Sequence, residues 1–248
     1  DRYQREIVPT KAPKTQRDNT SALKFLRKVF DNAPINSITP QVIAQYRDER
    51  GKVAPVRANR EITLLSHVFN LAREWGYTAK ENPVRGVRKN KEKPRDFYAD
   101  DAVWAAVYSV ASPELQDAMD LAYLTGQRPA DVLKMRRSDV KDGALEVKQN
   151  KTSKKLRILL DDPEGGRTKL GQLLDRIKAR PREIASLVLI ATPAGVALNQ
   201  WTLRTRFDDA RAAAAKAADE AGDADLAGRV RAFQFRDIRP KAASETDL

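Results

Sequence analysis

At 248 residues with 41% apolar side chains, the chain has material for one large domain or two ordinary ones, and with no cysteine it can form neither disulfides nor thiolate metal sites. The single histidine, His67, excludes a multi-histidine metal centre and leaves a serine hydrolase open only if His67 is its base. The formal charge of +12 is unevenly spread: residues 1–94 hold 20 Lys and Arg against 10 Asp and Glu, and the rest hold 26 against 24. A basic module ahead of a nearly neutral domain is the footprint of a polyanion binder, with nucleic acid the usual partner, and a basic face kept for solubility is the alternative. No apolar run has the length of a membrane span, the first residues lack the apolar core of a signal peptide and there is no cysteine, so no membrane partner is expected and a reducing cytoplasm is the expected location.

Residues 1 to about 18 are polar, contain Pro9 and Pro13, and read as an extended lead-in. From Thr20 onward Ala22, Leu23, Phe25, Leu26, Val29 and Phe30 recur at helical spacing. Thr39-Pro40 is an N-cap with proline at the first helical position, and the helix it opens carries Val42, Ile43 and Tyr46 before Gly51. A longer helix starts near Pro55, runs through Ile62, Leu65, Val68 and Phe69 to Trp75, and stops at Gly76. Together they make a small helical bundle over 1–87. His67 lies between Leu65 and Val68-Phe69 with no second ligand type at metal spacing, which fits a helix-flank residue better than a catalyst. Arg57, Asn59 and Arg60 occupy the first turns of the long helix and are candidates for phosphate or base-edge contacts if that helix enters a groove.

Residues 88–96 are rich in lysine and arginine and read as a basic linker, in which Arg88 and Lys89 would track a phosphate backbone. The second domain, 97–248, opens with Asp100-Asp101 at the head of a helix carrying Val103, Trp104, Val107 and Tyr108. Ser112-Pro113-Glu114 then caps the next helix. That helix runs through Leu121, Tyr123 and Leu124 into Thr125-Gly126, where a left-handed residue ends it, and Arg128 follows at once. Pro129 begins a short second helix with Leu133 and Met135 available for the core. An arginine on so tight a turn is held from both sides, so its fork can be aimed at phosphate; pairing with Asp131 is the plainer alternative.

Leu145 and Val147 alternate with polar residues, as do Leu156, Ile158 and Leu160, and QNKTSKK between them makes a hairpin with Lys151 at its tip. A helix with Leu170, Leu173, Leu174 and Ile177 follows, then residues 186–192, a short buried strand or an extended core segment. Asn199 to Ala221 is a long helix whose alanine-rich second half reads as a peripheral arm, Gly222 ends it, and a DADLAG loop leads on. Asp237 caps a last helix in which Pro240 falls in the tolerant first turn, placing Arg236 and Arg239 at a helix N-terminus.

Three cationic devices therefore share the second domain, without a nucleotide-binding glycine loop or the carboxylate cluster of a magnesium site. Two guanidinium groups can hold the non-bridging oxygens of a phosphodiester in its pentacoordinate state while a lysine supplies a proton to the leaving oxygen. No metal and no other cofactor is called for.

With TGQRPADVLKMRRSDV, NKTSKK and FRDIRPKAAS in this order, the chain resembles the tyrosine recombinases, in particular phage-type integrases. The resemblance implies a mainly α fold with a small β-sheet: a helical core-binding domain followed by a mixed α+β catalytic domain, closing as a C-shaped clamp on double-stranded DNA. It makes Arg128 and Arg239 the catalytic arginines, Lys151 the hairpin lysine and Asp131 a supporting acid. Arg236 stands where the family usually has histidine; it can hydrogen-bond phosphate but cannot shuttle a proton near neutral pH. The family's nucleophilic tyrosine follows the second arginine by a few dozen residues, yet Tyr123 is the last of the six tyrosines here. The chain is therefore expected to be a C-terminally incomplete fragment, inactive alone in strand cleavage, of a recombinase that works through a 3′-phosphotyrosyl intermediate as a homotetramer on DNA. A non-catalytic DNA-binding regulator derived from an integrase is the alternative, and a basic scaffold with no nucleic-acid role is a third.

Overall fold

The structure, a computed structural model, describes residues 1–245, so the last three residues of the expected second domain lie outside the described residues. Two compact units divide between Arg95 and Asp96.

The first unit is helical: α1 Pro13–Phe30, α2 Pro40–Val53 and α3 Pro55–Glu74. Thr39 accepts the Val42 amide at 3.3 Å, and Pro40 takes the first helical position, where no backbone N–H is needed. Leu26 and Phe30 of α1, Ile43 and Tyr46 of α2, and Ile62 and Leu65 of α3 form the core. The expectation of an extended lead-in is corrected here. Residues Tyr3–Ile7 form a π-helical turn, Val8–Thr10 a 3-10 turn, and Tyr3 and Val8 are core residues. The Tyr3 ring meets His67 edge-on at 5.5 Å, and its hydroxyl accepts from Lys11 Nζ at 2.8 Å and Asn19 Nδ2 at 3.2 Å. Two buried side chains spaced five apart among polar ones leave no periodic trace, which is why composition alone pointed to coil. The α2–α3 contact holds a buried charge: Glu61 accepts the Tyr46 hydroxyl at 2.7 Å and both ends of the Arg50 fork at 3.0 and 3.1 Å.

The basic stretch after Val87 is fastened to this unit over its first residues. Arg47 Nη1 donates to the Arg88 carbonyl at 2.7 Å, and the Asn59 amide exchanges hydrogen bonds with Asn90 and Glu92.

In the second unit α5 (Pro113–Thr125) is the central helix, burying Leu115, Ala118, Met119, Leu121 and Ala122. Against it pack α7 (Lys169–Ala179), α8 (Gln200–Glu220) and α10 (Ile238–Glu245), and α4 (Asp101–Val110) and α9 (Ala224–Ala232) pack on α8. Asp100 caps α4 through the Val103 amide at 2.9 Å, whereas the Ser112 hydroxyl caps nothing and is buried without a partner. Asp117, buried on α5, accepts from Arg176 at 3.0 Å and from Arg180 at 2.9 and 2.8 Å, tying α7 to the centre. A three-stranded antiparallel sheet, β1 (Val140–Lys141), β2 (Ala144–Lys148) and β3 (Lys155–Leu159), pairs Leu145 with Ile158 and Val147 with Leu156.

Three further expectations resolve at this level. Residues 186–192 form the extended core segment, with only single bridges at Val188 and Ala191. The alanine-rich half of α8 is no peripheral arm: Ala210, Ala214, Ala215 and Ala218 form one buried face, and small side chains let α9 pack closely on it. The DADLAG segment is no loop either, because Asp223 accepts the Leu226 amide at 2.9 Å and starts α9.

Candidate active site

The arginine turn is built as its residues dictate. Gly126 at φ +61° ends α5 in the left-handed region that a side chain would strain. Arg128 is then the N-cap residue of α6 (Pro129–Val132), its carbonyl accepting from Asp131 and Val132 at 2.8 and 3.0 Å. Its guanidinium does not pair with Asp131. Nη1 of Arg128 is buried and has no hydrogen-bond partner, which is costly for a cation unless an anion completes it.

Asp131, 1% exposed, is committed elsewhere. Its Oδ1 accepts the Asn150 backbone amide at 2.8 Å and lies 3.5 Å from Lys134 Nζ, while its Oδ2 is buried without a partner. Lys134 in turn donates to the Asn150 side chain. Asn150 precedes Lys151 in the β2–β3 connection, so this contact sets the hairpin tip against the arginine turn. The Lys151 side chain is exposed. Along the face of β2 and β3, Lys134, Arg136, Lys148, Lys155 and Arg157 outnumber Asp139 and Glu146 around a groove of about 670 Å³ that Lys151 does not line.

The second box forms a 3-10 turn, Phe235–Asp237, leading into α10, and Asp237 accepts the Gln234 amide at 2.8 Å within that turn. Arg236 is exposed and, with Pro129 of the arginine turn, Arg204 and Arg211, lines a cleft of about 390 Å³. Arg239 is partly buried in the first turn of α10, the helix that packs on α5. The structure thus joins Arg128, Asp131 and the Lys151 hairpin directly, and brings the second box to the same turn through Pro129 and the α5–α10 contact.

Of the candidates in the first unit, Arg57 and Arg60 are exposed on α3 and line a cleft of about 930 Å³ with Lys11, Lys14 and Phe25. Arg88 and Lys89 are exposed too. Asn59 differs. It is 2% exposed, and its amide nitrogen donates to the Asn90 carbonyl at 2.9 Å and Glu92 at 2.8 Å while its oxygen accepts the Asn90 amide at 2.8 Å. Its polar atoms serve the unit's own packing and none is left for a groove.

Sequence reading missed Gln127 and Gln149, amides 4% and 8% exposed that hydrogen-bond each other at 2.9 Å. Glutamine beside a charged candidate looks like solvated surface, so only their adjacency to Arg128 and Lys151 could have marked them. Among the described residues of the second unit no tyrosine has a free phenol. Tyr98 and Tyr123 donate to Glu245, which raises the pKa of both phenols, and burial with a bond to Asp120 pushes Tyr108 up to about 12. Among the described residues no group of three or more acidic or histidine side chains is placed to hold a metal ion, and no helix is long and apolar enough to cross a membrane.

A helical basic unit followed by an α+β unit that gathers an arginine turn, a lysine hairpin and an Arg-x-x-Arg helix start defines a class before any relative is considered. Residues 9–91 match the family described as phage integrase, N-terminal domain. The integrase of Escherichia phage HK022 is 34% identical over 154 residues, 60% of this chain and 42% of that protein. The integrase of Escherichia phage lambda is 33% identical over 166 residues, 64% and 46% respectively. A lambda integrase tetramer bound to a Holliday junction shares the fold, with a TM-score of 0.77 at 24% identity over 98% of this chain and 70% of that one. The chain is thus similar in sequence to phage integrases and shares the fold of lambda integrase. It spans less than half the length of the curated relatives it matches.

Proposed function

We propose that the chain is the core-binding and catalytic part of a site-specific DNA recombinase. The observation that carries this reading is the buried, unpartnered Nη1 of Arg128 on a turn to which the Lys151 hairpin is docked. A buried guanidinium nitrogen without an acceptor favours an anion there, and a lysine on the hairpin docked to the same turn suits a reaction in which that anion sheds an alkoxide. In the proposed reaction a tyrosine hydroxyl gives up its proton to water as its oxygen attacks the scissile phosphorus, the bond to the 5′-oxygen breaks, and that oxygen takes a proton from the Lys151 ammonium. A 3′-phosphotyrosyl link and a free 5′-hydroxyl result. Attack by a 5′-hydroxyl on the link reverses the step and restores the phosphodiester, so bond energy is conserved and the reaction calls for no nucleotide cofactor. Arg128 and Arg239 hold the non-bridging oxygens, Arg236 adds a hydrogen bond without moving a proton, and Asp131 holds the Lys151 hairpin through Asn150. Arg57, Arg60, Arg88 and Lys89 contact the duplex backbone, and four protomers act on two DNA segments.

The tyrosines of the second unit, Tyr98, Tyr108 and Tyr123, all donate to carboxylates, so the proposal assigns the nucleophile to a tyrosine outside this sequence, and the chain alone is expected not to cleave. In the tyrosine-bearing recombinase, Arg128→Ala or Arg239→Ala should abolish cleavage of a nicked suicide duplex while leaving duplex affinity within a few fold. Undiminished cleavage would refute the roles assigned. The engaged phenols of Tyr98, Tyr108 and Tyr123 also favour a second reading, a DNA-binding regulator without catalysis. Sequencing the gene past the Leu248 codon decides between them: continuation to a tyrosine supports the recombinase, an immediate stop the regulator.

A further inference from the structure

A lysine on an exposed hairpin tip is not aimed by the hairpin itself. Here residues 149–154 join β2 to β3, and both neighbours of Lys151 are tied to the segment that carries Arg128. On one side the Asn150 backbone amide reaches Asp131 at 2.8 Å. On the other runs a directional chain of hydrogen bonds. The Thr152 hydroxyl donates to Gln149 Oε1 at 2.5 Å, Gln149 Nε2 donates to Gln127 Oε1 at 2.9 Å, and Gln127 Nε2 donates to the Thr125 carbonyl at 2.8 Å, in the last turn of α5. Every donor in the chain points from the hairpin toward the helix end, so each amide has its orientation fixed by its neighbours. Both amides are buried, where water cannot substitute for a lost partner.

We propose that Gln127 and Gln149 form a buried amide lock that sets the position of Lys151 relative to Arg128, which makes Gln127 a positioning residue for protonation of the leaving oxygen. The inference rests on the recombinase reading. Proton transfer needs donor and acceptor within hydrogen-bond reach, and a displacement of about 1 Å can cost on the order of 100-fold in rate. The lock removes that freedom at the residue next but one to Lys151. Asp131 and Lys134 hold the Asn150 side and two backbone hydrogen bonds close the turn upon itself, so the amide lock is what ties the Thr152 side of the tip to the end of α5.

Two measurements test this with Gln127→Met and Gln149→Met, which keep side-chain volume and remove the amide hydrogen bonds. In the chain as it stands, hydrogen exchange of amides 149–154 should quicken at least tenfold in either variant, with α5 and α10 unchanged. In the tyrosine-bearing protein, single-turnover cleavage of an ordinary duplex should slow about 100-fold. Cleavage of the same duplex with sulfur replacing the 5′-bridging oxygen should keep nearly its full rate, because a thiolate leaves without a proton. Unaltered exchange, or equal slowing on both duplexes, overturns the lock. If the unsubstituted tyrosine-bearing protein cleaves neither duplex, the recombinase reading falls, and exchange alone judges whether the lock holds the tip.

Discussion

The basic first unit carries a quantitative consequence for DNA binding. Lys11, Lys14, Arg57 and Arg60 border one cleft, and Arg88 and Lys89 are exposed on the stretch fastened to α2 and α3. If each of the six neutralises one phosphate, the slope of log affinity against log salt is about −5, and raising salt from about 50 to 200 mM weakens binding by about a thousandfold. Cations of the second unit can only steepen this. Replacing Arg57 and Arg60 together by alanine should flatten the slope by about 2, since both are exposed and neither supports the core. Fluorescence anisotropy of a labelled duplex, titrated at four or five salt concentrations, reads both values. A slope for the unsubstituted chain shallower than about −2, or one unmoved by the double substitution, would refute the assignment of this face to DNA.

Two stability predictions follow from the second unit. Asp117→Ala leaves the Arg176 and Arg180 forks without the buried carboxylate they share, and should lower unfolding free energy by about 3 kcal/mol, at the low end for a broken buried pair because both arginines reach solvent. Urea denaturation measures it, and an unmoved midpoint would mean the network contributes nothing. Asp100→Ala should cost about 1 kcal/mol at neutral pH as a lost helix cap. The Val103 amide first, and Arg229 second, hold the Asp100 carboxyl below its usual range. Its contribution is therefore present above the unfolded pKa, near 4, and is lost as pH falls through the folded value. The two proteins should converge in stability in strong acid, and a constant gap down to about pH 2 would count against a charged cap.

Features set by neighbours in the chain were legible in the sequence. Thr39 caps α2, Gly126 takes the left-handed turn, Pro129 opens α6, and the alternation of Leu145, Val147, Leu156 and Ile158 pairs β2 with β3. Each rests on a local rule about dihedral angles or on a period that survives in a short window. The misread segments share a different property. Tyr3 and Val8 are buried by α1 and α3, the alanines of α8 by α9, and Asn90 is held by a residue 31 positions earlier. Alanine has no strong hydrophobic signature, and a polar segment anchored by one or two side chains has no period, so neither declares burial until its partner is in place.

The same distinction governs the candidate site. Arg128 and Asp131 lie three apart at a helix start, and sequence distance favours pairing them. The structure separates them by giving Asp131 a better acceptor role: the Asn150 amide arrives from a hairpin 19 residues away, and Lys134 stands over the same oxygen. With the Asp131 Oδ1 taken by the hairpin and its Oδ2 not reaching Arg128, the Arg128 Nη1 is buried with no hydrogen-bond partner, unlike an ordinary helix-end cation. Asn59 moves the opposite way, from an exposed-looking groove residue to a clasp on Asn90 and Glu92. In both cases function is decided by which hydrogen-bond capacity the fold has already used. Asn59, with its amide already bonded to Asn90 and Glu92, belongs to the scaffold, while Arg128, with a buried nitrogen free beside the docked Lys151 hairpin, belongs to the candidate site.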